Sequence, residues 1–176
     1  LNLFGDDDWR FDDFSRHYSR FSDYNLTHHD VIKKYHGDGI NNVFFSLGIN
    51  CNLFRPLKIK KKHDVAFFGR ANLGRADNLA YLAKHGVKLS IFGDGWLDYP
   101  ELKEFYKGYL KAEDLVKVIN ESKIILGFSA GGGGKGQIKG RPFETAACGS
   151  FYLGEYVEDY YKFFNKNEIV MYQNNE

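Results

Sequence analysis

The sequence predicts an α/β fold in which a Rossmann-like parallel sheet carries helices on both faces. Apolar segments of strand length alternate with helix-forming segments along the chain. The strand candidates at 64–70 and 123–128 are almost continuously apolar, which is typical of strands buried in a parallel sheet. A length of 176 residues allows one domain, or one domain with part of another.

Three short strands are predicted in the first third of the chain, at residues 1–4, 24–27 and 42–47. A helix is expected at 31–35, with Asp30 as its N-cap. His28 and His29 stand just before it. Because adjacent side chains diverge on a helix, we do not expect this pair to form a metal site.

The second part of the chain alternates strands and helices more regularly. We expect strands at residues 64–70, 87–92, 123–128, 150–153 and 168–172. We expect helices at residues 71–85, 102–106, 112–120 and 155–164, and one that begins at Arg141-Pro142. Gly86 stands where the end of a helix favours a left-handed residue.

Composition excludes some classes of protein. The net charge is +1, so the chain lacks the basic field that nucleic-acid binding usually requires. The basic run at 58–63 is expected to be a solvated linker. No apolar run reaches the roughly 18 residues of a membrane-spanning helix. We therefore expect neither a nucleic-acid partner nor a membrane span.

The two cysteines, Cys51 and Cys148, are too few for a disulfide framework, which fits a reducing, cytoplasmic location. Cys148 is expected to be a small buried residue rather than a nucleophile. The chain starts without Met and ends at 173–176 in a predicted helix start. We therefore expect a piece of a longer protein.

Glycines and charged residues follow several predicted strands, at the edge where parallel sheets bind ligands. One such loop contains Arg70 and Arg75, a second contains Gly93 and Gly95, and a third begins with the glycine run at 131–134. Glycines let the backbone approach a ligand closely, and a helix start with cations favours an anion.

The third loop leads into Lys139, Arg141 and Glu144. Glu144 stands three residues after Arg141, on nearly the same face of a helix. Because a carboxylate suits hydroxyl groups better than phosphate, these residues predict a phosphate-bearing ligand with a sugar or ribose attached. The alternative without a ligand site is an exposed ion pair of Arg141 and Glu144, with the glycine run as a flexible linker.

Other binding motifs fit less well. The segment at 93–95 lacks the third glycine of a dinucleotide fingerprint, and the glycine-rich loop lacks the Lys-Ser/Thr ending of a P-loop. Asp6, Asp7 and Asp8 follow the first strand and could bind a metal or hydroxyl groups, or form a solvated loop and N-cap. Because no histidine or further acid stands at ligand spacing, the metal interpretation is disfavoured.

The order of these motifs resembles that of a known family. The pieces are G-R at 69–70, G-D-G-W at 93–96, K-G-Y-L at 107–110, N-E-S-K-I-I-L-G-F-S at 120–129 and Q-I-K-G-R-P-F-E-T-A-A-C-G-S-F-Y-L at 137–153. Together they resemble the C-terminal domain of GT-B glycosyltransferases, more closely the group-1-like transferases that include the spore maturation protein CgeB. The R-P-F-E-T-A-A-C-G segment is the specific part.

The resemblance implies a donor site. Glu144 would hold the ribose hydroxyls of a nucleotide sugar, since a carboxylate can accept from two hydroxyls. The remaining substrate-binding residues fall into three groups: cations for the diphosphate (Arg70, Arg75, Lys139, Arg141), loop residues near the base (Gly93, Gly95, Tyr109, Leu110), and Gln137 at the start of the piece at 137–153. Many retaining relatives carry another Glu eight positions before this one. That position is Gly136 here, which leaves the donor sugar and the stereochemical outcome open.

The resemblance also implies an organisation and a reaction. Residues 1–54 would end an acceptor-side domain, 55–62 would be a linker, and 63–176 would form the nucleotide-sugar-binding domain. The reaction would transfer a sugar from a nucleoside diphosphate sugar to an unknown acceptor, with no metal or cofactor, and with Asp7 or Asp8 as candidate base. The alternatives are a nucleotide-binding module or structural protein without transferase activity, and a metal-dependent enzyme that uses the aspartates.

Overall fold

The computed structural model describes residues 1–27, 31–72, 74–132 and 136–173. His28, His29 and the predicted N-cap Asp30 lie outside the described residues, as do Leu73, the 133–135 part of the glycine-rich loop and the end of the chain from 174. The described chain forms two compact units, one of residues 1–48 with 130–138 and one of 49–129 with 139–176. The division at 54 and 62 into an acceptor-side and a donor-side domain stays a prediction.

The first unit contains a three-stranded parallel sheet. Its strands are β1 (Asn2–Phe4), β2 (Asn25–Thr27) and β3 (Val43–Phe45), paired in that order. Its helical segments are a π-helical segment at Phe11–Ser15, α1 (Arg16–Tyr18), a 3₁₀ turn at Ser19–Phe21 and α2 (Ile32–Gly37). One face of the sheet packs on a small core of aromatic and aliphatic side chains, namely Phe4, Phe11, Val31, Tyr35, Ile40 and Val43.

The second unit is a five-stranded parallel sheet with helices between the strands. The elements in chain order are β4 (His63–Phe68), α3 (Arg75–Lys84), β5 (Leu89–Phe92), α4 (Ala112–Glu121), β6 (Ser122–Gly127), α5 (Arg141–Ala147), β7 (Phe151–Glu155) and β8 (Val170–Tyr172). Three 3₁₀ turns lie at Trp96–Asp98, Pro100–Leu102 and Glu158–Lys162. The strand order is β5-β4-β6-β7-β8. The predicted Rossmann-like class is therefore confirmed.

This strand order places a switch point beside β4. The chain first adds β5 on one side of β4 and then returns to add β6 on the other side. Loops that leave the carboxyl ends of β4 and β6 therefore run in opposite directions, which opens a crevice between them. Ligands of open α/β sheets bind in such crevices.

The core of the second unit holds this sheet in place. Phe67, Leu79 and Ile91 are fully buried and pack in one cluster with Trp96 and Leu102 from the turns after β5. Burying each side chain of this size contributes about 1.5–3 kcal/mol relative to leaving it exposed. The two turns are therefore part of the core, and they fix where the loop after β5 lies.

Two predicted helices of the second unit are wrong. Residues 102–106 do not form the expected helix, because their backbone groups bond to Ile91 in the edge strand β5. The N–H of Ile91 donates to Phe105 O (2.9 Å), and its C=O accepts from Lys107 N–H (2.8 Å). These bonds satisfy an otherwise open strand edge. The helix expected at 155–164 is only the 3₁₀ turn at Glu158–Lys162.

The helix expected at 71–85 begins later, at Arg75. The preceding residues pair with the loop after β5, where Ala71 N–H donates to Asp94 O (2.9 Å). Gly74 then has a φ of 73°, a left-handed conformation that suits glycine. The tertiary contact thus shortens the helix at its start.

The segment predicted as a linker, 55–62, has no helix or strand but is firmly attached to the second unit. The side chain of Asn120, near the end of α4, accepts from Leu57 N–H (2.7 Å) and donates to Arg55 O (3.1 Å). Lys62 N–H donates to Glu121 O (2.6 Å). No helix in the described part of the chain is long and apolar enough to cross a membrane.

His63 gives the second unit a testable dependence on pH. Its side chain is 18% exposed, with Nδ1 2.9 Å from Ser90 Oγ and Nε2 3.9 Å from Glu121. Burial lowers the pKa of His63, Glu121 opposes this shift, and Lys62 and Lys107 reinforce it.

The unfolded chain therefore binds a proton at this position more readily than the folded chain. We expect the contribution of His63 to the free energy of unfolding to be present above about pH 6.5 and lost as the pH falls below it. Urea unfolding of the wild type and of His63→Gln at several pH values measures this effect. The variant should show a flatter slope below about pH 6.5 than the wild type. The exposed His36, replaced by Gln, is the control, and an equal flattening there would contradict the assignment.

Candidate functional site

The candidate site lies at the carboxyl edge of the second unit's sheet. The loop after β4 and the loop after β5 meet there through their backbones. Gly69 N–H donates to Phe92 O (2.9 Å), and the indole Nε1–H of Trp96 donates to Gly69 O (2.8 Å). A fully buried tryptophan therefore fixes the carbonyl that follows β4.

Gly93 is required by this contact. Its φ is 122°, which disfavours residues with a side chain. A Cβ atom built on Gly93 would overlap the carbonyl group of Gly69. The prediction that Gly93 shapes a loop at the site therefore has a direct steric basis. Gly95 is also left-handed (φ 80°), and it begins the turn that carries Trp96.

A cavity of about 280 Å³ opens beside these two loops. Four of the predicted substrate-binding residues, Arg70, Gly93, Tyr109 and Leu110, line it. Most of its remaining wall is apolar, and the other lining residues are Phe68, Gly69, Phe92, Asp94 and Leu115. The Tyr109 ring is 70% exposed, so it is free to pack against a ligand.

Arg141 connects the start of α5 to the end of β4. Its guanidinium donates a hydrogen bond from Nη2 to Phe68 O and lies over the rings of Phe67 (4.9 Å) and Phe68 (4.4 Å). Because Phe68 and Gly69 line the cavity, the cation adjoins it. Burial lowers the pKa of Arg141, yet arginine keeps its charge at neutral pH. Its Nε is buried without a partner among the described residues.

Glu144 lies one turn further along α5 and is half-buried. Burial raises the pKa of its carboxyl group, and the charge of Arg141 partly offsets this shift. Neither side chain is fully exposed, so the exposed pair of the alternative interpretation does not describe Arg141 and Glu144. Gly140, just before the helix, leaves the space next to Glu144 open.

The two arginines after β4 differ in exposure. Arg70 is 72% exposed and lies 3.9 Å from the Asp94 carboxylate. Arg75 is half-buried, donates from Nη1 to Arg70 O (3.1 Å) and lies over the Phe67 ring (6.0 Å). Burial lowers the pKa of Arg75. Arg75 therefore supports the loop, whereas Arg70 is free to reorient toward a ligand.

Lys139 precedes α5, and its backbone N–H donates to the hydroxyl of Tyr160 (2.8 Å). Gln137, by contrast, belongs to the first unit. It is buried, and its Nε2 donates to Asp8 Oδ1 (2.6 Å). The structure thus gives Gln137 a partner within that unit, in support of a structural role.

Asp7 and Asp8, the predicted base candidates, also lie in the first unit and differ from each other. Asp7 is buried and accepts hydrogen bonds from Thr27 Oγ1 and from the Tyr35 hydroxyl, both 2.9 Å. Asp8 is half-exposed and accepts from Gln137. Within the described residues, no group of three or more His, Cys, Asp or Glu side chains is arranged to hold a metal ion.

Several residues of this edge were not expected from the sequence. Asp94 lines the cavity, Trp96 fixes Gly69, and Glu155 accepts from Ser129 N–H (2.7 Å) and Oγ (2.8 Å) at the entry to the glycine-rich loop. Their position in the sequence could have indicated them, because Asp94 lies in the loop after β5 and Glu155 is the last residue of β7. Tyr160, which accepts from Lys139 N–H, was also missed, because a buried tyrosine looks like an ordinary core residue in a sequence.

Fold and site together define a Rossmann-like α/β domain with a cavity between the loops that follow β4 and β5, and with arginines beside it. The chain belongs to the glycosyl transferase-like family, whose model matches residues 70–176. No curated protein matches the chain.

Two solved structures of TarM share the fold at low identity. One, from S. aureus, is a mutant in complex with fondaparinux, alpha-GlcNAc-glycerol and UDP; it has a TM-score of 0.60 and 13% identity and covers 91% of this chain. The other has a TM-score of 0.57 and 11% identity and covers 90%. The present chain spans only about a third of the TarM chains, 36% and 35% respectively.

The steric requirement at Gly93 can be tested by comparing two glycines. Gly86 has a φ of 83°, but a Cβ atom added there would meet nothing within 4 Å. Gly86→Ala therefore isolates the backbone cost, about 1 kcal/mol of the free energy of unfolding. Gly93→Ala adds the overlap with Gly69 and should cost about 3 kcal/mol. Chemical denaturation measures both. Equal losses would show that the loop after β4 moves aside freely.

Proposed function

We propose that the second unit is the donor-binding part of a GT-B glycosyltransferase of the group-1-like kind. It would transfer a sugar from a nucleoside diphosphate sugar to an acceptor. The observation that carries this proposal is the position of Arg141, held at the cavity by Phe68, with Glu144 one helical turn away. The family membership supports the same reaction class.

The cations at the cavity suit a diphosphate. Arg70 lies in an exposed pair at 3.9 Å, and such pairs contribute little, so its guanidinium can leave Asp94 for a phosphate. Arg141 offers a buried Nε donor that has no partner among the described residues, and an unsatisfied buried donor costs about 1–3 kcal/mol. An anion that accepts from it would recover this cost. Lys139 and Arg75 add positive charge.

These fixed charges also explain how the reaction could proceed. When the bond from the sugar to the diphosphate breaks, negative charge develops on the leaving diphosphate. Cations that are already in place stabilise that charge without reorganisation. We therefore propose that this chain needs no metal or cofactor for the step. Full activity in the presence of EDTA is expected.

Glu144 is proposed to hold the ribose. Its carboxylate can accept from two neighbouring hydroxyls, and charge-assisted hydrogen bonds are the stronger kind. Its partly buried position beside Arg141 favours such bonds over solvation. The apolar walls of the cavity, with Tyr109 and Leu110, are proposed to hold the base.

The particular donor and subfamily are further proposals. The TarM structure contains UDP, which makes UDP the first nucleotide to test. The R-P-F-E-T-A-A-C-G segment supports a relative of the CgeB-like group. Both cysteines are free thiols, in support of the expected cytoplasmic location.

Of the two base candidates, we propose Asp8. Asp7 is buried and bonded to Thr27 and Tyr35, so its replacement would disturb the first unit. Asp8→Asn is expected to lower the turnover of the sugar donor by roughly 100-fold with an unchanged affinity for UDP. Release of UDP measures turnover and calorimetry measures affinity. Turnover equal to that of the wild type would remove Asp8 from the mechanism.

The donor site itself is tested by titrating UDP, GDP and ADP, and their sugars, into the protein by calorimetry. Glu144→Gln removes the charge and keeps the shape of the side chain. We expect it to weaken the tightest of these ligands roughly ten-fold, since hydrogen bonds to charged groups contribute about 1.5–3 kcal/mol.

The matched control is Glu104→Gln, which changes an exposed carboxylate away from the cavity lining and should leave affinity unchanged. If none of these nucleotides binds the wild type, the proposed function is wrong. Binding without any turnover of nucleotide sugars would favour a nucleotide-binding module.

A further inference from the structure

Part of the glycine-rich loop is built into the first unit. Residues 130–138 belong to that unit, together with residues 1–48. An antiparallel bridge between Ala130 and Gly136 brings the two ends of the loop together. Two residues of this loop, Gly132 and Gln137, meet the segment that contains Asp8 and Trp9.

Gln137 binds Asp8, the proposed base. Its side chain is 1% exposed, and Nε2 donates to Asp8 Oδ1 at 2.6 Å. A hydrogen bond from an amide to a carboxylate is charge-assisted, so it is stronger than a bond between two neutral groups. Because the amide is buried and Asp8 is half-exposed, the bond restricts the carboxylate from the inner side and leaves its outer side accessible.

Two glycines of the loop make room for this arrangement. A Cβ atom on Gly131 would overlap the side chain of Gln137. A Cβ atom on Gly132 would overlap the indole ring of Trp9, the residue that follows Asp8. The loop therefore lies against both the residue that binds Asp8 and the residue next to it in the chain.

These glycines thus have a reason other than a ligand. The sequence predicts that the glycine run lets the backbone approach a phosphate. At positions 131 and 132, the glycines instead let the backbone approach two side chains of the same unit. A buried amide costs free energy unless it is hydrogen-bonded, and a side chain kept only for packing would need no amide. The arrangement is that of a support for Asp8.

We propose that Gln137 is a positioning residue for Asp8, and that Gly131 keeps Gln137 in place. Gln137 acts through the orientation of the carboxylate and does not itself take the proton of the acceptor. The effect of Gln137 on turnover rests on the proposed function, because it requires Asp8 to be the base. The placement of Asp8 does not rest on it and can be measured without a ligand.

The first experiment follows the side-chain amide of Gln137 by NMR in the ligand-free protein. Its signal is identified by its loss in Gln137→Met. Asp8→Ala removes the acceptor, and we expect exchange of this amide with water to accelerate roughly ten-fold, the effect of losing one hydrogen bond to a charged group. Asp12→Ala is the matched control, since it removes a carboxylate of the same unit that is 85% exposed. Unchanged exchange in Asp8→Ala would overturn the proposal for Gln137.

Gly131→Ala tests the second part of the proposal. The added methyl group would overlap Gln137, so we expect the same amide to exchange roughly ten-fold faster although Asp8 is intact. Gly37→Ala is the control in the same unit, because a Cβ atom there meets nothing within 4 Å. Equal exchange in the two variants would overturn the role of Gly131.

The third experiment measures release of the nucleoside diphosphate from UDP-glucose, GDP-glucose and ADP-glucose. Gln137→Met keeps the length of the side chain and removes its donor. We expect it to lower kcat roughly ten-fold and to leave the affinity for the nucleoside diphosphate unchanged in calorimetry. A residue that bound the donor would instead change this affinity. A residue that only stabilised the unit would lower the unfolding midpoint and leave the kcat of the folded protein unaltered.

A double-mutant cycle links the effect to Asp8. In an Asp8→Asn background, Gln137→Met should not lower kcat further, because the base that it positions is gone. Equal losses in both backgrounds would overturn the positioning role.

The outcomes separate this inference from the proposed function. A wild type that releases none of the three nucleotides, together with faster amide exchange in Asp8→Ala, would refute the transferase and retain the placement of Asp8 by Gln137. A kcat that falls in Asp8→Asn and stays unchanged in Gln137→Met would retain the base and refute the positioning role.

Discussion

Arg141 joins the first turn of α5 to the carboxyl end of β4, and the candidate site depends on this connection. The two residues it links, Arg141 and Phe68, are 73 positions apart in the chain. The guanidinium donates to a carbonyl at the end of β4 and covers two aromatic rings. A cation in this position is partly shielded from water, so its attraction for an anion is stronger than at an exposed surface. The proposed binding of a nucleotide by the neighbouring cavity and by Glu144 therefore depends on this cation.

Much of the fold and part of the site follow from local pattern. Apolar runs predicted all five strands of the second unit. The reason is clearest for β5, which is buried along its whole length and is therefore almost entirely apolar. The spacing of Arg141 and Glu144 placed them on one side of a helix, since residues three apart are neighbours there. The glycines at 93 and 95 were recognisable because backbone conformation is a local property.

The features that the sequence did not reveal depend on distant contacts. Residues 102–106 have helical character in the sequence, but in the structure their backbone groups form hydrogen bonds with the edge strand β5 instead of a helix. Gln137 stands beside the specific family segment, yet its amide pairs with Asp8, 129 positions earlier. Tyr160 is an ordinary core residue by pattern, and only the bond of its hydroxyl to Lys139 N–H distinguishes it. Pairings over such separations leave no signal in a single sequence.

The ring of Tyr152 occupies the space beside two paired glycines of β6 and β7, which limits how this family member can vary. Gly127 and Gly154 can carry a side chain only if the residue at 152 becomes small, and a small residue at 152 leaves an empty space unless one of the glycines enlarges. Neither change is tolerable alone, because one creates an overlap and the other a cavity. The three positions therefore form a unit that evolution must exchange together. Among relatives, they should covary even where the rest of the sheet drifts independently.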